Sequence, residues 1–207
     1  MAAQSTIRHA RREDVPAILS FLKAGAAEQA PGTEIPATEA RIAATFHFDP
    51  PSSHPHDPSS PPPPTPSPTP PATAPTPQSN GHSSPPPLPP FVRALLIIAP
   101  ETGQPAGHAI YYYNYSTWIA RPGIHLEELY VVPEYRRRGY AKLLIDALAA
   151  EAARAGCVKL DWVCLRDNER ALRFYDGLGV ERMENWMVLK ADEEGIARLA
   201  AGSRRGG

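Results

Sequence analysis

The chain has 207 residues, a formal net charge of −1 and 42% hydrophobic residues. A nearly neutral balance supplies no global field toward nucleic acid or an acidic membrane, so neither is expected as a partner. No run approaches the roughly 20 apolar residues of a membrane span, and "MAAQSTIRHARRED" lacks an apolar core of signal-peptide length.

"STIRHA" reads as a short first strand. "REDVPAILSFLKAGAA" follows as a helix: Asp14 and Pro16 suit its first turn, and Val15, Ile18, Leu19 and Leu22 share one face. "ATEARIAATFHF" is a second, shorter helix. The next stretch is unlike the rest: Pro50 to Pro90 holds 19 of the 26 prolines, mixed with Ser, Thr, His and Ala. So few large apolar side chains cannot offset the entropy of ordering, and residues 50–90 are expected to form a disordered insert. Lengthening a connection from about 5 to about 40 residues adds roughly 1.8 kcal/mol of closure entropy, which one domain tolerates.

"FVRALLIIA" resumes as a strand, and "AGHAIYYYNYS" and "IHLEELYVV" are two more, the last ended by Pro133. From Gly139 to Ala155 the helical period is clear, with Ala141, Leu144, Ile145, Leu148 and Ala152 on one stripe. "CVKLDWVCL" is again a strand, "NERALRFYDGLG" a helix capped by Asn168, "NWMVLK" a last strand and "RLAAGSRRGG" a frayed tail. The order predicts an α/β fold: a mixed central sheet with helices on both faces. Residues 1–49 and 91–200 are expected to make one domain, and 201–207 a flexible tail.

Cys157 and Cys164 form no C-x-x-C pair, and the seven histidines show no metal-ligand spacing. Neither a disulfide framework nor a metal site is expected, and the chain reads as soluble, reduced and cytoplasmic. His108 and His125, in strands beside glycine or leucine, read as structural.

The join at "LEELYVVPEYRRRGYAKLLIDAL" carries the chemistry. The first N–H groups of a helix have no partner inside it, and the dipole there favours negative charge. Gly139 lets a ligand approach the backbone, Ala141 keeps the first turn small, and Arg136, Arg137 and Arg138 can pair with phosphates. Glu127 and Glu128 interrupt the preceding apolar strand. Alternation sends them to opposite faces unless a bulge intervenes.

"RRRGYA", Arg136 to Ala141, resembles the Q/R-x-x-G-x-G/A loop that binds acetyl-CoA in GNAT acetyltransferases. Through "AGHAIYYYNYSTWI", "LEELYVVPEYRRRGYA", "DNERALRFY" and "ENW" the likeness narrows to the spermidine/spermine (diamine) and thialysine branch. It covers everything but the Pro-rich insert and the tail. The resemblance implies a GNAT fold, whose mixed central sheet is mostly antiparallel, and that Leu129, Tyr130 and Val131 pair with the pantetheine arm. It also implies that Arg136 to Ala141 (with Tyr140 between Gly139 and Ala141) and Lys142 hold the diphosphate, and that Asn168, Glu169, Arg170 and Ala171 touch the coenzyme. Tyr175 matches the tyrosine that protonates the departing thiolate, and Glu127 the acid that contacts substrate and relays its proton. The acids facing the substrate would be Glu28, Glu127, Glu128, Asp161 and Glu184, with Trp118 nearby. Ser116 stands where the polyamine enzymes carry an acid, which leaves room for a shorter amine such as a lysine analogue. The branch is commonly homodimeric, and its mechanism needs no metal.

The implied function is acetyl-CoA-dependent N-acetyl transfer to a small amine or polyamine, by direct attack in a ternary complex. Two alternatives stay open. The acceptor could be a protein N-terminus or lysine. Alternatively, "PPPPTPSPTPP" and "PPPLPP" could dock SH3 or WW modules and make this an interaction protein.

Overall fold

In "RALLII" every residue after the arginine is apolar, the pattern of a strand covered on both faces. In a computed structural model of the protein this segment is β2 (Arg93–Ile98), flanked by β1 (Thr6–His9) and β3 (Pro105–Ser116). The sheet runs β1-β2-β3-β4-β5, with β4 at Arg121–Val131 and β5 at Leu160–Trp162. The first four strands pair antiparallel and β5 lies parallel to β4. The mixed, mostly antiparallel sheet that was expected is therefore present. The structure describes residues 5–49 and 88–202; most of the expected insert, and the last five residues, lie outside the described residues.

The chain divides into two compact units, Met1–Val163 and Cys164–Gly207. In the first, helices α1 (Val15–Gln29) and α2 (Glu39–Thr45) precede β2, and α3 (Tyr140–Arg154) connects β4 to β5. Ile18 and Phe21 of α1 pack with Ala94, Leu96, Ile110 and Tyr130 in one buried cluster. The alternate residues Leu95, Ile97, Tyr111, Ile124 and Leu126 are also buried, and alternation places them on the opposite face. The Tyr113 hydroxyl donates to Glu151 Oε1 at 2.7 Å, which ties α3 to that second face. Helices thus cover both sides.

Local chemistry explains the boundaries. Asp14 precedes α1 in a short 3-10 turn, and Pro16 stands in the first helical turn, where no N–H is needed. The Thr38 side chain caps α2 by accepting from Arg41 N at 3.2 Å. At the far end of α2, Phe46 bridges Val92, and His47 N donates to Val92 O at 2.8 Å. The two ends that flank residues 50–87 are therefore fastened together.

The second unit holds α4 (Glu169–Asp176) and α5 (Glu193–Gly202). Asn168 caps α4 as expected, its side chain accepting from Ala171 N at 3.1 Å. Two expectations fail here. "NWMVLK" is not a strand: residues 185–190 have no regular structure, because among the described residues of this unit no strand offers them a ladder. "RLAAGSRRGG" is not all tail, since α5 runs to Gly202. Asp192 Oδ1 accepts from Gly195 N at 2.8 Å and starts it. In the first unit β5 is also shorter than the nine residues of "CVKLDWVCL". Among the described residues no helix is long and apolar enough to cross a membrane.

Candidate active site

The two adjacent acids of β4 are reconciled by a bulge. Leu126 lies opposite Tyr111 and Glu128 opposite Ile110, so Glu127 is an extra residue with no partner across the ladder. A bulge re-aims side chains that strict alternation would separate. Glu128 Oε1 reaches α1, where a Cβ on Gly25 would sit only 2.7 Å from it. That close approach accounts for a glycine inside a helix. Glu127 Oε2 lies 3.9 Å from Nε2 of His125, which shares the α1 face. Both carboxylates therefore face the same side of the sheet.

Beneath Glu128, His108 is 0% exposed and neither of its ring nitrogens has a hydrogen-bond partner. Its Nε2 stands 3.7 Å from Glu128 Oε1, itself buried and unpartnered. Beside Glu127, His125 Nδ1 lies 2.6 Å from Asp161 Oδ1 across the parallel β4–β5 pair. Asp161 also accepts from Lys159 Nζ at 2.6 Å and from Asn114 Nδ2 at 3.2 Å. Burial alone would raise this carboxyl's pKa; the bonds from Lys159, His125 and Asn114 outweigh it and hold it below its ordinary value.

β5 pairs with β4 only from Ile124 to Leu126, so among the described residues Leu129, Tyr130 and Val131 have a strand partner on one side only, β3. The chain then turns through Pro133–Tyr135 into α3. Gly139 caps that helix at φ 81°, a left-handed conformation that suits glycine, and Arg137 has φ 64°. The N–H groups of residues 137–142 form no hydrogen bond to other described residues. The three arginines are not equivalent. Arg136 donates from Nε to Val131 O at 2.7 Å and from Nη2 to Glu28 Oε1 at 2.5 Å. Arg138 pairs with Glu101 and lies over the Tyr135 ring. Arg137 is exposed and has no partner among the described residues. Lys142 pairs with Asp146 at 2.7 Å. Glu28, expected among the substrate acids, is thus held by the loop arginine. Trp118 is 89% exposed at the tip of the β3–β4 hairpin.

In the second unit, Asn168, Glu169, Arg170 and Ala171 form the capped start of α4. Tyr175 stands beside Phe174, ring centroids 5.3 Å apart. Burial, with a smaller contribution from Cys164, pushes its phenol up to about 12. Glu184 is exposed in the irregular stretch between the helices.

Residues 63–180, more than half the chain, match the family described as Acetyltransferase (GNAT) family. The chain belongs to the GNAT acetyltransferase family. Thialysine N-epsilon-acetyltransferase of Caenorhabditis elegans is 36% identical over 100 residues, which are 47% of this chain and 62% of that protein. Its counterpart in Bos taurus is 35% identical over 120 residues, 54% of this chain and 70% of that one. Among solved structures, an integron cassette protein from the mobile metagenome of V. cholerae covers 95% of this chain and 97% of its own. Its TM-score is 0.64 at 16% identity. That likeness concerns the fold alone, and it is the GNAT fold of the five-stranded sheet described above.

From the sequence His125 reads as structural; its partner Asp161 is 36 residues away and meets it only through the β4–β5 register.

Proposed function

We propose that this GNAT protein transfers the acetyl group of acetyl-CoA to a primary amine of a small amine or polyamine. The observation that carries this reading is the bulge at Glu127. It brings two carboxylates to one face of β4 just before the strand's one-sided edge and the glycine-capped helix. The names of the nematode and bovine relatives support an amine acceptor of this size.

The chain's own groups fit the coenzyme. The unpaired N–H groups of residues 137–142, at the positive end of α3, suit a diphosphate, and Gly139 presents no Cβ to obstruct it. Arg137 supplies a cation without first breaking an ion pair, whereas Arg136 and Arg138 fix the loop to Glu28 and Glu101. Leu129 to Val131 offer backbone groups to the pantetheine amides, and the family resemblance assigns Asn168 to Ala171 to the coenzyme as well. The thioester is already activated, so the protein's task is placement and proton handling.

An alkylamine with a pKa of about 10 is protonated at pH 7, and removing that proton costs roughly 4 kcal/mol. Glu127 accepts it, directly or through water, while Glu128 attracts the remaining ammonium groups of a polyamine, a role the family resemblance gives to Glu184 also. Tyr175 returns a proton to the departing sulfur. Its phenol, at about 12, keeps its proton throughout the working pH range and can act as a donor there.

The test is thiol release from acetyl-CoA with a panel of spermidine, spermine, putrescine, thialysine, lysine and peptides. Release is expected with the small amines, and Tyr175→Phe should lower kcat by about 10²-fold with coenzyme affinity unchanged. Release with none of the panel would end the reading, and release with peptides alone would move the acceptor to protein. Loss of coenzyme binding in Tyr175→Phe would make that tyrosine a packing residue.

A further inference from the structure

We propose that His125, fixed by Asp161, is a second proton acceptor for the reacting amine, and that the gap between His125 Nε2 and Glu127 Oε2 is where that nitrogen sits. This inference rests on the acetyltransferase reading and goes on to assign its base.

The tautomer follows from the partners. Asp161 is held as a carboxylate by Lys159 and Asn114 and can only accept, so the 2.6 Å contact requires the hydrogen on His125 Nδ1. Neutral His125 then turns a lone pair, not a hydrogen, from Nε2 toward Glu127. That atom and Glu127 Oε2 are two acceptors facing each other across 3.9 Å. Two acceptors make no bond between themselves; a donor placed between them makes two. A nitrogen about 2.9 Å from each closes that triangle. An alkylammonium supplies the hydrogens the gap lacks.

The groups around the imidazole come from three strands. Tyr112 of β3 packs its ring 5.2 Å from His125, Glu127 lies on β4, and Asp161 stands on β5 with Lys159 just before it. The imidazole itself is 17% exposed, so solvent reaches an edge of the ring but does not surround it. A carboxylate that held His125 only to stabilise the sheet would not need two further donors. Here those donors keep Asp161 charged and fix the direction of its oxygens, as in a base–orienter pair.

The step balances. The ammonium gives one proton to His125 Nε2 and becomes a free amine with its lone pair available. That pair forms the C–N bond to the acetyl carbonyl, and the C–S bond breaks with its electrons leaving on sulfur. A second N–H proton passes to solvent water as the amide forms, and the thiolate takes its proton from Tyr175, the donor proposed above, which is reprotonated from solvent. The imidazolium then releases its proton to solvent. His125 Nε2 and Glu127 Oε2 both border the place of the ammonium, so His125 stands as a second acceptor beside Glu127, and the one that an orienting carboxylate holds in position.

The experiment uses the full chain with acetyl-CoA and whichever amine the wild type acetylates best. His125→Ala is expected to lower kcat/KM by about 10²-fold with coenzyme A affinity by calorimetry unchanged. Added imidazole should restore turnover, and a series of substituted imidazoles should rescue in order of basicity. A merely structural histidine would show no such order. Asp161→Asn keeps the imidazole but replaces its obligate acceptor, and is expected to cost at least about tenfold. It also serves if His125→Ala fails to fold. An active wild type whose variants lose less than about threefold, or whose lost activity no imidazole restores while coenzyme still binds, overturns this inference alone. A wild type inactive on every amine overturns the acetyltransferase reading and this assignment with it.

Discussion

Asp14 shows how one buried charge can hold the start of the chain. Its carboxylate takes two bonds from Arg8, at 2.6 and 2.9 Å, and a third from Arg11 N at 2.7 Å. It is 6% exposed, just ahead of α1. Burial raises its pKa, but the Arg8 and Arg11 contacts more than offset this and lower it overall. A depressed carboxyl adds stability that is present above the unfolded value of about 4 and lost as pH falls through the folded one. Denaturant titrations should therefore show the wild type weakening below pH 4. Asp14→Ala should cost about 3 kcal/mol at pH 7, because it strands Arg8 beside the core. An equal cost at pH 2 and pH 7 would contradict the linkage. This residue was legible as a helix-start signal; its partner Arg8, on the neighbouring strand, was not.

Elements were read well where pattern alone specifies them. The stripe of Leu144, Ile145 and Leu148 gave α3, and "RALLII" gave β2, because burial on one or two faces leaves a periodic trace. "NWMVLK" carries a strand-like composition, yet a strand exists only in its pairing, and its residues have no ladder here. Helix α5 had a readable start in Asp192, Glu193 and Glu194, but the Gly and Ala that follow resemble a tail. The turn into α3 depends on one backbone angle. Gly139→Val places a β-branched side chain at φ 81° and should cost about 1–2 kcal/mol in stability. Coenzyme A affinity by calorimetry is expected to drop at least about tenfold, well beyond the change in stability. Unchanged affinity in a folded variant would remove the cradle from the proposed mechanism.

For the whole molecule, family and fold were recoverable because the arginine-glycine turn before α3 and the helix-start asparagine are short, local and chemically constrained. The groups proposed to handle protons were only partly so. Glu127 and Glu128 stand out as acids in an apolar run, but their common face depends on a bulge, and His125 on a register between strands distant in sequence. Such information belongs to topology. No residue shows it singly.

The fastening of Phe46 to Val92 has one more consequence. β1 is already zipped to β2, and α1 is sunk in the core they share, so the backbone between residues 50 and 87 is not what keeps these parts together. Cleaving the peptide there with a protease should yield two pieces that travel as one species in native mass spectrometry and come apart only in denaturant. Spontaneous separation of the pieces would mean that covalent continuity, rather than the seam, joins the amino-terminal segment to the sheet.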